Sequence, residues 1–485
     1  MNLPLPSAAV PLAASVQRLA YLVGVLGLGL TGVTVARRIG SPWPLEWMEG
    51  ASLQHALRLL SGQPIYAPPS AEFIPFVYPP LAYLPMAAGA ALFGPQLWAG
   101  RLISVLALAG SLACIFRLVR RETSSAAIGC WAVGIYALGY GYCGAFLDLL
   151  RVDGVFMLLI LLGLERLSAD AIAAGLACLA ASCLAKQHGV FFLLASALWL
   201  VRETRARHLS ALAASCGVLM AVAAWLQLSS GGWFGKYVFW VPAGHGMEPQ
   251  LLLSYLLVDV LLYLPVLALF AGLGMARGAV SLRLGLWLAA GLFASALGRA
   301  HPGGDDNVRL PGFALLVIVA ALAFPQLWAA ARNGTYRVLC AAGLAVQALM
   351  LLQLPAAYAP RPQQAEAFAA LRGALARCAG GQLERSVALD HALLTGRPFL
   401  HTLALSDLNL AAPDTLGAVA TAALVRELAA PDAPLSLALS ASFPALQAAL
   451  AEHYEPCAEL PALALPTGYA IGPTRVYRRR AELTR

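Results

Sequence analysis

The sequence predicts a mainly α-helical membrane protein: a polytopic bundle of about eleven transmembrane helices followed by a small extramembrane α/β domain. Three observations predict it. The 485 residues are 60% hydrophobic and only 12% charged, whereas soluble domains carry roughly 25% charged residues. A chain this long with so few charges cannot cover itself with polar surface, so lipid must solvate much of it. Long apolar runs recur with short polar breaks as far as Tyr358, and beyond it the composition changes and no spanning run follows.

Net charge alone would invite a different reading. The formal value is +8, yet the Arg residues sit in short loops between apolar runs, as they do in the cytoplasmic loops of membrane proteins. No basic face with interleaved aromatics is present, which excludes a nucleic-acid partner. The nine Cys contain no CxxC pair. Cys130, Cys178, Cys183, Cys216 and Cys340 lie inside apolar runs, where Cys behaves as a small hydrophobe. Cys378 and Cys457 fall in the polar tail. On an oxidising side of the membrane they are candidates for a disulfide, with two free thiols as the alternative.

The apolar runs give spans near 16–36, 99–118, 124–142, 153–168, 170–185, 187–201, 210–228, 250–275, 281–298, 310–329 and 336–355. The first is long enough to span and lacks a cleavage pattern, so it is expected to be retained. Segment 78–94 is apolar but opens with Pro79-Pro80 and carries Pro85; it is short for a span and reads as a re-entrant or interfacial helix. Leaving it out places the loops with Arg117/Arg120/Arg121, Arg202/Arg205/Arg207, Arg277/Arg283 and Arg332/Arg337 on the cytoplasmic side together with the N-terminus. Arg37 and Arg38 then lie outside, against the trend.

The external face receives a long first loop, 37–98, and the stretches 229–249 and 299–309. Residues 51–60 have apolar positions at helical spacing, which predicts a helix on the membrane surface. The division is thus a membrane domain over 1–358 and a periplasmic domain over 359–485. In the latter, "APRPQQ" reads as a linker, "SVALD" and "LSLALS" as strands, 415–429 and 443–453 as helices, and "GYAIGPTRVYRRR" as a strand pair. Asp390, His391 and His401 form no catalytic set and read as surface or turn residues.

Ionisable groups at membrane depth are costly, so each asks for a reason. Glu46 and Glu49 follow the first span. Asp148, Arg151 and Asp153 lie in "FLDLLRVDG" after the third, and Lys186, Gln187 and His188 break the apolar run "CLAKQHGV". His301, Asp305, Asp306, Asn307 and Arg309 lie in "HPGGDDNVRLP". Four distant stretches thus send carboxylates, cations and amides to one face. Helix capping and loop polarity are the competing explanation for any single Asp or Arg. Asp148 and Arg151, three apart, are positioned to pair with each other. Asp259, deep in the eighth span, needs a partner that the sequence does not name.

An external carboxylate acting as general base toward a hydroxyl or amine, with cations holding a phosphate leaving group, suits sugar transfer from a polyprenyl-phosphate donor. "GGDDN" lacks the Lys-Ser/Thr ending of a phosphate loop. Its adjacent Asp305 and Asp306 are the candidates for a divalent metal; no other cofactor is indicated.

The order of these motifs resembles the GT-C glycosyltransferases, especially bacterial members of glycosyltransferase family 39 and its relatives, which include protein O-mannosyltransferases and lipid A aminoarabinose transferases. The matching stretches are "MEG" (48–50), "LSGQPIY" with Gly62, "YPPL" (78–81), "RLIS" (101–104), Asp153 and "LAKQ" (184–187). The family's Asp-Glu pair reads Met48-Glu49 here, and the Lys that precedes Pro-Pro in some relatives is Tyr78. The resemblance implies an inverting enzyme of the bacterial inner membrane with a polyprenyl-phosphate sugar donor and a glycan, lipid or protein acceptor. Glu49 would be the base, with Glu46 in reserve, and Asp153 would position substrate or share the proton. Arg151 and Lys186 would hold phosphate, and His301 to Arg309 would shape the pocket with Tyr78, Gln187 and His188. The alternatives are a lipid or sugar transporter or flippase, for which Asp259 speaks, and a non-catalytic envelope-assembly protein, for which Met48 speaks.

Overall fold

The computed structural model describes residues 12–203, 208–301, 303–331, 333–391, 394–395, 397, 399–440, 444–467 and 470–480. Arg205, Arg207 and Arg332 of the orientation pattern lie outside the described residues, as do Gly468 and Tyr469 of the last strand pair.

Each predicted span contains a helix. They are α1 (Ala14–Arg38), α4 (Leu97–Thr123), α5 (Ala126–Leu138), α6 (Val152–Ser168), α7 (Ile172–Ala185), α8 (Gly189–Arg202), α9 (Leu209–Ser229), α10 (Pro249–Leu262) with α11 (Pro265–Ala276), α12 (Leu282–Ala300), α13 (Leu310–Ala330) and α14 (Gly334–Met350). In the first loop stand α2 (Glu49–Leu60) and α3 (Tyr83–Phe93), the latter opened by a 3-10 turn at Pro80–Ala82. Among the described residues, five helices are long and apolar enough to cross a membrane by themselves, or six if α10 and α11 count as one. The 13 residues of α5 and 14 of α7 and α8 reach only about 20 Å at 1.5 Å per residue, against roughly 30 Å of hydrocarbon.

Burial separates helices of equal apolarity. The apolar window of α13 is 83% buried, so this helix is the centre of the bundle, while that of α9 is 0% buried, so this helix lies at the periphery, with one side against α7. Close packing of α1 on α5 depends on missing side chains: a Cβ on Gly27 would lie 2.3 Å from the Gly134 carbonyl oxygen. This is the small-residue crossing common between membrane helices.

Three segments depart from the sequence reading. The expected span 250–275 is broken, with α10 and α11 meeting at 92°. Pro265 has no N–H to continue the ladder and disfavours helical geometry at Leu264, whose φ/ψ is −124°/41°. The span expected over 124–142 ends at Leu138, after which 139–150 runs as buried turns. Helix α2 forms as expected but is not an exposed surface helix, since Glu49 through Ala56 are all buried.

The C-terminal segment folds as an α/β unit. It contains α15 (Pro362–Cys378), α16 (Thr402–Ala411), α17 (Ala418–Ala429) and α18 (Pro444–His453). Strands β1 (Ser386–Ala388), β2 (Ser436–Leu439), β3 (Tyr454–Leu460) and β6 (Thr474–Arg479) form one sheet in the order β1-β2-β6-β3, while β4 (Leu463–Ala464) pairs with β5 (Ala470–Ile471). β1 and β2 are parallel; β6 is antiparallel to both its neighbours. The strand pair expected within 468–480 is therefore corrected: β5 and β6 pair with other strands, not with each other. The expected linker is also shorter, because α15 begins inside it at Pro362, a residue suited to a first helical position. Cys378, closing α15, is disulfide-bonded to Cys457 in β3. Asp390, His391 and His401 are 2–3% exposed, not surface residues.

Candidate active site

Arg151 at the start of α6 and the segments before α2, before α3, after α7, before α10 and after α12 converge beneath the α/β unit. There they line a cavity of about 580 Å³. Its wall includes Glu46, Trp47, Met48, Phe76, Tyr78, Arg151, Lys186, Gln187, His188, Phe239, His245, His301, Asp305 and Asn307, and the α/β unit adds Leu403 and Asp407. Of the sequence-predicted site residues, Glu46, Tyr78, Arg151, Lys186, Gln187, His188, His301, Asp305 and Asn307 share this cavity. Glu49, Asp148, Asp153, Asp306 and Arg309 do not line it.

Glu49 is withdrawn into the structure. Its carboxylate takes a bidentate pair from Arg101, with Nε at 2.9 Å and Nη2 at 2.7 Å. It also accepts from the Leu45 and Leu150 amides at 2.7 and 3.1 Å. Both residues are fully buried. Burial alone would raise the Glu49 carboxyl, but Arg101 and the two amides hold it below the ordinary carboxylate range. Four donors fill its lone pairs, so it pins the loop to α4 and has no free oxygen to take a proton from a substrate.

Glu46 stands in the opposite situation. One oxygen lies 3.0 Å from Arg151 Nη1 and the other accepts from the Met48 amide at 3.0 Å. Burial pushes its carboxyl up to about 7, with Arg151 opposing only in part. The Sδ of Met48, where the resembling family has Asp, lies 2.8 Å from Arg151 Nη1.

Arg151 is the hinge of the charge network, since its Nε also lies 4.0 Å from Asp153. Asp153 is held by Lys186 Nζ at 2.7 Å and by the Asn307 amide at 3.1 Å. It sits behind the two cations and fixes Lys186, which faces Tyr78 with Nζ 5.8 Å from the ring centre. Lys186 breaks the helical run because its own φ/ψ is extended, and α8 can restart only at Gly189, where a Cβ would fall 2.4 Å from Ser182 Oγ. Gln187 bridges two segments, donating to the Val77 and Val238 carbonyls. Among the described residues neither ring nitrogen of His188 has a partner.

Several expected pairings are replaced. Asp148 does not pair with Arg151 but binds Arg38 at 3.0 Å and the Tyr140 hydroxyl at 2.7 Å. Arg38, fully buried, also donates to the Ala145 carbonyl, so this Arg is an internal tie. Asp259 is paired with Arg309 at 3.0 Å and Arg299 at 3.4 Å, which supplies the missing partner. Arg309 further holds Asp306 at 2.6 Å. Asp305 turns to the cavity while Asp306 turns to Arg309, so the two do not form a chelating pair. No metal-suited group of three or more His, Cys, Asp or Glu occurs among the described residues.

Sequence reasoning missed Arg101, Trp47, His245 and Asp407. Arg101 carried a signal, a cation in the apolar first half of α4, within the stretch "RLIS". Asp407 carried none, because it belongs to a helix whose fold neighbours are set far away in sequence.

No family model matches the chain, and no curated relative matches it. Solved structures do. The crystal structure of ArnT from Cupriavidus metallidurans bound to undecaprenyl phosphate aligns with a TM-score of 0.59 at 14% identity, covering 98% of this chain and 100% of that one. The apo ArnT of the same organism gives 0.57 at 14% identity, over 97% and 100%. At this identity the likeness is one of architecture, and it extends through the α/β unit as well as the bundle: the chain has the fold of ArnT, a helical membrane bundle that carries a small α/β unit.

Proposed function

We propose that the protein transfers a sugar from a polyprenyl-phosphate donor to an acceptor on the periplasmic side of the inner membrane, with inversion. The observation that carries this reading is one cavity lined at once by a carboxylate with a raised pKa, Glu46, and by two cations, Arg151 and Lys186. A base and a phosphate-binding pair are the parts such a transfer needs. The fold is shared with a protein crystallised with undecaprenyl phosphate, which supports a donor of that class.

In this mechanism the acceptor hydroxyl or amine attacks the anomeric carbon. The carbon–oxygen bond to phosphate breaks, and polyprenyl phosphate leaves with the electron pair. Glu46 takes the acceptor proton. Arrival of the donor phosphate draws Arg151 toward it, loosening the Arg151–Glu46 pair and freeing that oxygen of Glu46. Lys186, fixed by Asp153, neutralises the charge that grows on the leaving phosphate. Asp153 is a positioning residue and Glu49 a scaffold residue.

Transport is the rival reading, favoured by the 92° break between α10 and α11, since transporters use broken helices. The test is sugar transfer by the full-length protein in nanodiscs with undecaprenyl-phosphate-linked sugars and cell-envelope lipid acceptors. Glu46→Gln is expected to lose transfer about 10²- to 10⁴-fold while still binding undecaprenyl phosphate. Full activity in that variant moves the base elsewhere. Sugar crossing the bilayer without a new glycosidic bond overturns the enzyme reading.

A further inference from the structure

Two groups of polar residues line the cavity. Arg151 and Lys186 are joined through Asp153, with Glu46 on Arg151. The other group joins Asp407, on α16 of the α/β unit, to His245 and His301. The second group has a use that the base and the phosphate-binding cations leave unassigned.

Asp407 is the informative residue. It lines the cavity together with Leu403, four positions earlier and therefore on the same face of α16. Its carboxylate has no ion pair and no hydrogen-bond donor among the described residues, and burial pushes it up to about 7. The ring of His245 hydrogen-bonds the Asp407 main chain. Among the described residues its Nε2 has no partner, nor has Nδ1 of the adjacent His301, the two rings lying 6.2 Å apart. A buried polar group left unpaired costs free energy. Two such nitrogens beside a carboxylate that opens to the cavity and has no protein donor mark a place where a ligand supplies the missing hydrogen bonds.

Resting on the glycosyltransferase reading, we propose that Asp407 and His245 form a sugar-recognition subsite, in which the Asp407 carboxylate accepts hydrogen bonds from two neighbouring hydroxyls of the transferred sugar. A carboxylate has two oxygens spaced to take a vicinal diol, and it repels phosphate, which places the sugar ring rather than the phosphate beside it. Trp47, Phe76 and Phe239 on the same wall offer apolar faces to the ring's C–H surface. The α/β unit is then part of the substrate site, and it reads the sugar while the membrane helices hold the lipid phosphate.

Native mass spectrometry of the full-length protein in nanodiscs tests this. The probes are undecaprenyl phosphate and its glucose, mannose, galactose, arabinose and glucosamine conjugates. At least one hydroxyl-bearing conjugate is expected to bind ten-fold or more tightly than undecaprenyl phosphate, and Asp407→Ala is expected to abolish that gain. The isosteric Asp407→Asn, which keeps one acceptor oxygen, is expected to retain part of it. Thermal stability of both should hold or rise, because an unpaired carboxylate has been removed. The proposal is overturned if no conjugate gains affinity, if the gain survives Asp407→Ala, or if only the glucosamine conjugate gains, which would make the subsite an ammonium site. Failure of the glycosyltransferase reading looks different: the wild-type protein would form no new glycosidic bond in the nanodisc transfer assay, whatever its affinity for the conjugates.

Discussion

Two carboxylates three residues apart divide two roles because of what donates to them. Glu49 receives four donors and loses its availability, whereas Glu46 keeps a raised pKa on a cavity wall. Breaking a buried ion pair from one side leaves an uncompensated charge, at a cost of about 3–5 kcal/mol. Glu49→Ala is therefore expected to lower thermal stability and folded yield sharply, and Glu49→Leu with Arg101→Met to recover much of the loss. An equal loss of transfer at full stability would instead return Glu49 to the chemistry. Glu46 must be ionised to accept a proton, and its carboxyl sits at about 7. The pH profile of kcat/KM should therefore climb about ten-fold per pH unit below 7 and level off above it. Asp407 gives a stability counterpart. Its folded pKa of about 7 lies above its ordinary value near 4, so its favourable contribution is complete below about pH 4 and is lost as pH rises through 7. The Tm advantage of Asp407→Asn should accordingly widen from pH 5 to pH 8, and a constant difference would show that the carboxylate is not strained by burial. The sequence made the polar gathering legible residue by residue, but not the pairings. Arg151 chose Glu46 over Asp148 because Asp148 was already claimed by Arg38, more than a hundred positions away.

At the scale of elements, helix type and place followed from apolar runs, because a helix must satisfy its own backbone in lipid. What the runs could not show was which helices touch. α9 and α13 are similarly apolar, yet one is exposed to lipid and the other encased. The break at Pro265 was legible as a proline but not as a right-angle turn, since many membrane helices keep a proline with a mild kink. β3 was hidden by Pro456, tolerated because the register shifts at that point. The α1–α5 crossing offers a paired test. Gly27→Ala forces a methyl group to within 2.3 Å of a backbone oxygen, whereas Gly29 meets nothing within 4 Å. Overpacking costs about 1–3 kcal/mol, so Gly27→Ala should lower the melting temperature of the purified protein. Gly29→Ala should leave it unchanged or raise it, given about 0.5–1 kcal/mol of helix propensity. Equal behaviour of the two would mean that the helices are not in close contact.

For the whole molecule the decisive relation is between the bundle and the α/β unit, because the cavity exists only where they meet. The first loop is clamped from both sides. Below, Arg101 donates to the Ser41 and Trp43 carbonyls. Above, the Trp43 ring stacks on Phe368 of α15 at 5.4 Å, and His401 bonds the Trp47 carbonyl at 3.0 Å. The loop that carries Glu46 is thus bolted to the unit that carries Asp407. Within the unit, the disulfide between Cys378 and Cys457 closes a separation of 79 residues, worth about 4–5 kcal/mol in the chain-entropy model, so the unit should move as a body. Trp43→Ala removes the stack from the loop side and leaves the unit's own core intact. An aromatic pair contributes about 0.5–1.5 kcal/mol beyond its area, which corresponds to about a 2- to 13-fold rise in the undocked population. Hydrogen exchange over 44–60 and 402–411 should accelerate by that factor, with β2 and β6 unaffected. The KM for the sugar-bearing donor should rise in step, while affinity for undecaprenyl phosphate stays near wild type, because Arg151 and Lys186 belong to the bundle. Acceleration confined to the loop, with 402–411 unchanged, would show that the α/β unit is held by other contacts and that Trp43 does not govern the closure of the cavity.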